Sequence, residues 1–237
     1  MRVVGVPETR STRKAVRLGL ALATAFALAF PVAAQDLLPT GAGFLTRFSG
    51  TAQEMQADGS ERTVIDINGP SGIALGLSEP GHAPDGSPWR YPPELFRANA
   101  RDIGQVFGVA LDDAPQPNIY LTATSAFGLH RNAENTDWMA GMWGETGGPG
   151  TVYRLTASDG YRPTVFAQIT LDGRANSGAA LGNIAYDRWN RQFFVSDLET
   201  GMIHRLRLAD GFDAGYYDHG GTGRTDFLDA PTNERMA

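Results

Sequence analysis

A short repeated pattern constrains this chain more than any other feature of its sequence. Three segments read glycine, any residue, an aliphatic residue, any residue, arginine, then an apolar residue: Gly43-Phe-Leu-Thr-Arg-Phe, Gly150-Thr-Val-Tyr-Arg-Leu and Gly201-Met-Ile-His-Arg-Leu. Each is followed within about ten residues by an Asp-Gly pair, Asp58-Gly59, Asp159-Gly160 or Asp210-Gly211. Asp-Gly suits a tight hairpin because glycine takes positive φ without a steric penalty. A second element recurs as Gly108-Val-Ala-Leu-Asp with Asn118-Ile-Tyr-Leu-Thr, and as Asn183-Ile-Ala-Tyr-Asp with Gln192-Phe-Phe-Val-Ser-Asp. In both, a short apolar strand ends in an aspartate (Asp112, Asp187), a turn follows and a second strand begins. A third element, beginning at Thr63 and Thr164, follows the first two Asp-Gly turns.

In chain order these pieces make a unit of four short antiparallel strands repeating at about 40–50 residues, the arithmetic of a β-propeller blade. A β-sandwich with chance similarity is the alternative. The sequence predicts an all-β chain, a propeller-like array of four-stranded antiparallel blades with strands at about 43–67, 107–171 and 182–220. Two loop insertions interrupt it. Residues 77–100 carry five prolines and little periodicity, and read as surface loop. Residues 129–149 account for about 24 extra residues, since Asp112 precedes Asp187 by 75 positions but Gly150 precedes Gly201 by 51. Only two units have a full strand set, too few to close a propeller of four to eight blades. The expectation is therefore an incomplete array, a portion of a longer protein, with completion by self-association as the alternative.

The amino end reads as an export signal, residues 1–34, ahead of a domain at 35–237. Arg10, Arg13, Lys14 and Arg17 precede an apolar run at 18–30, Pro31 breaks it, and Val32-Ala33-Ala34 offers small residues for cleavage between Ala34 and Gln35. A retained anchor is the rival reading, and would be the only membrane contact; the run from 18 to 34 is at the low end of spanning length. The expected location is periplasmic or secreted. Residues 1–34 hold five of the chain's 20 basic and one of its 26 acidic residues, leaving the rest at 15 against 25, a net charge of −10. Lys14 is the only lysine, so residues 35–237 offer no Schiff-base lysine, and their acidity argues against nucleic-acid binding. The absence of cysteine removes disulfides, thiolate nucleophiles and thiolate metal ligands.

The segment 182–207 resembles a blade of the NHL-repeat and gluconolactonase/senescence-marker-protein group of six-bladed β-propellers. The shared features are a strand ending in Asp187, the Phe-Val-Ser-Asp strand ending at Asp197 and the Gly201-Met-Ile-His-Arg strand. The resemblance is moderate over 108–160. It implies a propeller and, for the hydrolase branch, a central divalent cation such as calcium held by Glu, Asn and Asp oxygens. Asp197 stands where that branch has its aspartate. The order Gly182-Asn183 reverses the family's Asn-Gly, and a one-residue shift turns a strand side chain to the opposite face. A metal site at Asp197 and Asn183 is thus one expectation, and a turn-capping role for Asp197 is the other.

The remaining chemistry is sparse. His82, His130, His204 and His219 do not cluster, and the Glu79 to His82 spacing crosses Pro80-Gly81. His204 is expected to point outward from its strand. No Gly-x-Ser-x-Gly elbow and no phosphate loop occur. Trp138 and Trp143 in the second insertion could form a binding platform or pin a long loop to the body. The leading functional expectation is a non-enzymatic module presenting loops to a protein or carbohydrate. The alternative is a metal-dependent lactonase- or esterase-like hydrolase.

Overall fold

A computed structural model describes residues 37–78, 92–128 and 130–218. These residues form an all-β structure of several small antiparallel sheets, with no closed barrel among them. The strands are β1 (Ala42–Thr46), β2 (Thr51–Met55), β3 (Glu61–Ile65), β4 (Pro70–Gly76), β5 (Glu94–Asn99), β6 (Val106–Leu111), β7 (Ile119–Ala123) and β8 (Thr151–Thr156). Then follow β9 (Arg162–Gln168), β10 (Thr170–Leu171), β11 (Arg174–Ala175), β12 (Leu181–Asp187), β13 (Gln192–Asp197), β14 (Ile203–Arg207) and β15 (Asp213–Tyr217). A one-turn helix, α1 (Ala100–Ile103), links β5 to β6. Three larger sheets result: a first of order β1-β4-β5, a middle of order β6-β7-β8-β9 and a last of order β12-β13-β14-β15.

The middle and last sheets are plain up-and-down meanders, and their turns follow from the residues in them. Asp159-Gly160 joins β8 to β9 and Asp210-Gly211 joins β14 to β15, with both glycines at positive φ. Asp112 accepts from the backbone N–H of Ala114 and Asn118 and from the Asn118 carboxamide. Asp187 does the same for Trp189, Asn190 and the Asn190 carboxamide. The strand-ending aspartates thus tie the β6–β7 and β12–β13 turns, because a carboxylate reaches N–H groups within its own turn, two and six residues on from Asp112 and two and three from Asp187.

The apolar core lies between sheets. Phe44, Ala74 and Ala98 of the first sheet pack on Ile119, Leu121, Tyr153 and Leu155 of the middle one. The other face of the middle sheet, with Tyr120 and Val152, packs on Leu181, Ile184, Phe193, Val195 and Leu206 of the last. All five residues of β7 are therefore buried, as expected for a strand covered on both faces. The close approach of β6 and β12 requires glycine at position 108. A Cβ there would sit 2.8 Å from the Gly182 carbonyl oxygen and 2.5 Å from Thr122 Oγ1.

Two sequence expectations are corrected, and the arginines of the repeated pattern prove unlike one another. Among the described residues the Gly43 copy of the pattern is an edge strand, β1, paired only with β4, whereas β8 and β14 are interior strands paired on both sides. Its Asp58-Gly59 turn joins the separate β2–β3 hairpin. β1 also faces the other way: Phe44 is buried and Leu45 is 54% exposed, while Val152, the counterpart of Leu45, is buried. Within 77–100, residues 94–99 form β5 and complete the first sheet, since pairing with β4 outweighs the local proline content. Arg47, Arg154 and Arg205 share no common contact. Arg47 donates to the Phe48 carbonyl, Arg154 lies over the Phe166 ring and Arg205 donates to the Ala214 carbonyl.

Candidate functional site

The described part of the second insertion is held by its own polar residues. Asn132 Oδ1 accepts from the N–H groups of Thr136 and Asp137, and the backbone N–H of Met139 bonds the His130 carbonyl at 2.7 Å. This positions Trp138 and Trp143 edge to face, ring centroids 5.6 Å apart. Both indoles are half-buried and pack on Ile65, Ala100 and Met142. The Arg131 guanidinium lies over the Trp138 ring, 5.1 Å from its centroid. The pair pins the insertion to the body, and neither indole is fully buried.

Trp138 also reaches the loop between β11 and β12. Its Nε1–H donates to the Ser177 carbonyl at 2.9 Å. Gly178, at φ 138°, lies so close to the indole that a Cβ would fall 1.9 Å from Nε1. Glu199 fixes Ser177 from the other side, accepting from its backbone N–H at 2.5 Å and its hydroxyl at 2.8 Å. Asn176 closes the loop on itself through the N–H groups of Gly178 and Ala180, and donates from Nδ2 to Asp197 Oδ1 at 2.8 Å.

Asp197 is buried at the end of β13. Burial pushes its carboxyl above the usual aspartate value, opposed by hydrogen bonds from Thr200 and from the Glu199 N–H. With Asn176 these three donors occupy both carboxylate oxygens, the arrangement of a turn-fixing aspartate. Asn183 is exposed and its Oδ1 accepts from the Ile184 N–H. Asn183 and Asp197 have different hydrogen-bond partners and make no hydrogen bond to each other. Among the described residues, no group of three His, Asp or Glu side chains is placed to hold a metal ion.

His204 is a correction. Expected on the outward side, it is fully buried on the face of β14 that packs on the middle sheet. Its Nδ1 lies 2.7 Å from Asp213 Oδ2 and its ring centroid 5.6 Å from that of Tyr216. Nε2 makes no hydrogen bond and stands 3.9 Å from Asp197 Oδ2. A carboxylate-oriented imidazole is the geometry of a general base. Here the ring is enclosed, so the arrangement fills and polarises the inner face instead of meeting a substrate. A signal was available: His204 shares strand parity with Leu206, whose repeat counterpart is Leu155, and both leucines are core residues.

The interior of the site therefore runs from Trp143 through Trp138, Ser177 and Glu199 to the turn fixed by Asp197. The signal segment 1–34, its cleavage point at Ala34 and Gln35, and both His82 and His219 lie outside the described residues. No protein-family model matches this sequence, and a search of curated proteins finds no match.

Proposed function

We propose that this chain is an exported, non-enzymatic binding or scaffold protein, built as a propeller-like array and offering its loop end to a protein or carbohydrate partner. The observation that carries this reading is the brace from the Trp138–Trp143 pair through Ser177 to Glu199, which fastens the insertion to the end of the last sheet. A pre-ordered surface loses less entropy on binding, which is the physical use of such bracing. Two four-stranded meanders packed face to face support the propeller-like architecture. The apolar run at 18–30 with small residues at 32–34 supports export to the periplasm or medium.

The hydrolase alternative draws less support. Asp197 has both carboxylate oxygens engaged by neighbouring donors, and the exposed Asn183 has its side-chain oxygen on the Ile184 N–H. The test is tryptophan emission during titration with a panel of neutral oligosaccharides, with and without millimolar calcium. A saturable, calcium-independent change that Trp143→Ala removes supports a binding role. Calcium-dependent turnover of a lactone that Asp197→Asn abolishes would overturn it.

A further inference from the structure

The middle and last sheets repeat each other over their matching strands, and among the described residues only the middle one has its far face covered. Residues 108–112 correspond to 183–187, 118–123 to 192–197 and 150–155 to 201–206. The pairings agree: Tyr120 opposes Arg154 as Phe194 opposes Arg205, and Val152 opposes Ala167 as Ile203 opposes Tyr217. On the middle sheet, Tyr120 and Val152 are buried against the last sheet, Tyr120 to 1%. Their counterparts are less covered, with Ile203 half-buried. Phe194 is 40% exposed and Tyr217, the counterpart of Ala167, is 66% exposed. Phe194, Ile203, Arg205, Tyr216 and Tyr217 together line a shallow groove.

Hydroxyl groups mark the same interface. Thr122 Oγ1 accepts from the Gly108 N–H inside its own sheet and donates across to the Gly182 carbonyl at 2.6 Å. Between the first and middle sheets, Thr46 Oγ1 donates to the Phe107 carbonyl at 2.7 Å, and Phe107 is the repeat counterpart of Gly182. Each junction thus has a hydroxyl bonded to the carbonyl that precedes a 108- or 183-type position. Ser196, the counterpart of Thr122, accepts from Asn183 N–H in the same way, but its hydroxyl turns back to the Asn183 carbonyl at 3.4 Å. Both the apolar residues and the hydroxyl of the last sheet are thus arranged for another sheet.

The opposite end of the stack offers the complement. The far face of the first sheet carries Leu45, 54% exposed and paired with Ile73, and Leu75, paired with Glu94. This is an apolar strip flanked by the Arg97–Glu94 ion pair, both of whose carboxylate oxygens Arg97 already engages, and it presents apolar surface to the apolar groove of the last sheet. We propose that the β12–β15 face docks on the β1-β4-β5 face of a second copy of this chain. The contact is heterologous, so it closes only if both ends pair. Two copies of three larger sheets then form an array of six, within the four to eight of propellers. That closure rests on the propeller-like reading above.

The test uses the exported protein and begins with light-scattering mass across micromolar concentrations, where a dimer is expected. The chain has no cysteine, so single-cysteine variants report contacts without background. An equimolar mixture of Leu45→Cys and Phe194→Cys should crosslink into mixed pairs, and neither variant alone should. Phe194→Asp should weaken the dimer at least tenfold with unchanged far-UV circular dichroism; Tyr217→Asp serves if that variant misfolds. A monomer at every concentration, crosslinking of Phe194→Cys with itself, or a folded variant that pairs like the parent each overturns the proposal. An open ladder of higher oligomers overturns closure and the propeller-like reading together. A monomer leaves that reading, and the Trp143-dependent binding, standing.

Discussion

The middle and last sheets have the same strand order and share their aspartate-marked turns, though not the long β7–β8 connection, yet they solve burial differently. In the middle sheet Ala123 and Tyr153 sit at positions that the last sheet gives to Asp197 and His204. All four are buried. The Tyr153 hydroxyl makes no hydrogen bond, and Gly147 lies so close that a Cβ there would fall 1.8 Å from it. His204 instead meets Asp213, and Asp197 meets Asn176 and Thr200. Same-fold positions therefore carry apolar packing in one sheet and a polar network in the other. Coverage differs on the far faces: among the described residues the middle sheet is enclosed by two neighbours, while the last has one.

The sharpest way to break this comparison is to truncate matching aromatics. Tyr120→Ala is expected to cost about 3–5 kcal/mol, as for other buried aromatic truncations. Phe194→Ala, its exposed counterpart, should cost no more than about 1 kcal/mol measured on dissociated protein. Denaturant midpoints decide it, and equal losses would mean that the last sheet's open face is covered within the monomer.

Second in size is the pH dependence tied to Asp197. Burial raises its folded-state pKa above the unfolded value. A raised carboxyl contributes stability that is complete below the unfolded pKa and is lost as pH rises through the folded one. Asp197→Ala, which recreates the Ala123 arrangement, should therefore lack this loss. Subtracting the variant's stability curve from the parent's should leave a difference that moves against the parent from about pH 4 upward, starting at the ordinary aspartate pKa. A flat difference would sink the assignment. The subtraction matters because Glu54, Asp58, Asp113, Asp187 and Asp210 are held below their usual values by hydrogen-bond partners. Their contributions run the other way, being lost as pH falls.

A smaller effect is expected at the brace. Trp138→Phe keeps an aromatic ring and removes the donor to Ser177, which should cost about 1 kcal/mol, the net worth of one such hydrogen bond. Hydrogen exchange at 176–180 should rise while the β6–β9 amides stay protected. Smallest of all is Asn183→Ala, an exposed position, expected within about 0.5 kcal/mol of the parent with or without calcium. A calcium-dependent melting shift that this variant loses would restore the metal reading.

Much of the fold was legible. Asp-Gly pairs marked the β8–β9 and β14–β15 turns, and Asp112 and Asp187 marked β6–β7 and β12–β13, because turn chemistry is local and acts through neighbouring N–H groups. The place of β1 was not legible, since a strand's pattern does not state its partner, and pairing across the chain decided it. β5 was hidden among prolines for the same reason. Asp197 was found from sequence. The donor that ties it to the β11–β12 loop, Asn176, was not, because only packing brings that loop against the end of β13.

From the sequence alone came an acidic, cysteine-free β-repeat chain with its hairpins in order, because strand length, turn residues and repeat period are properties of short segments. Only the tertiary structure decided which face of each strand is inside. Side chains alternate with a period of two, so the inside is whichever side the next sheet covers. For Tyr120 that side is occupied, and for Phe194 it is open.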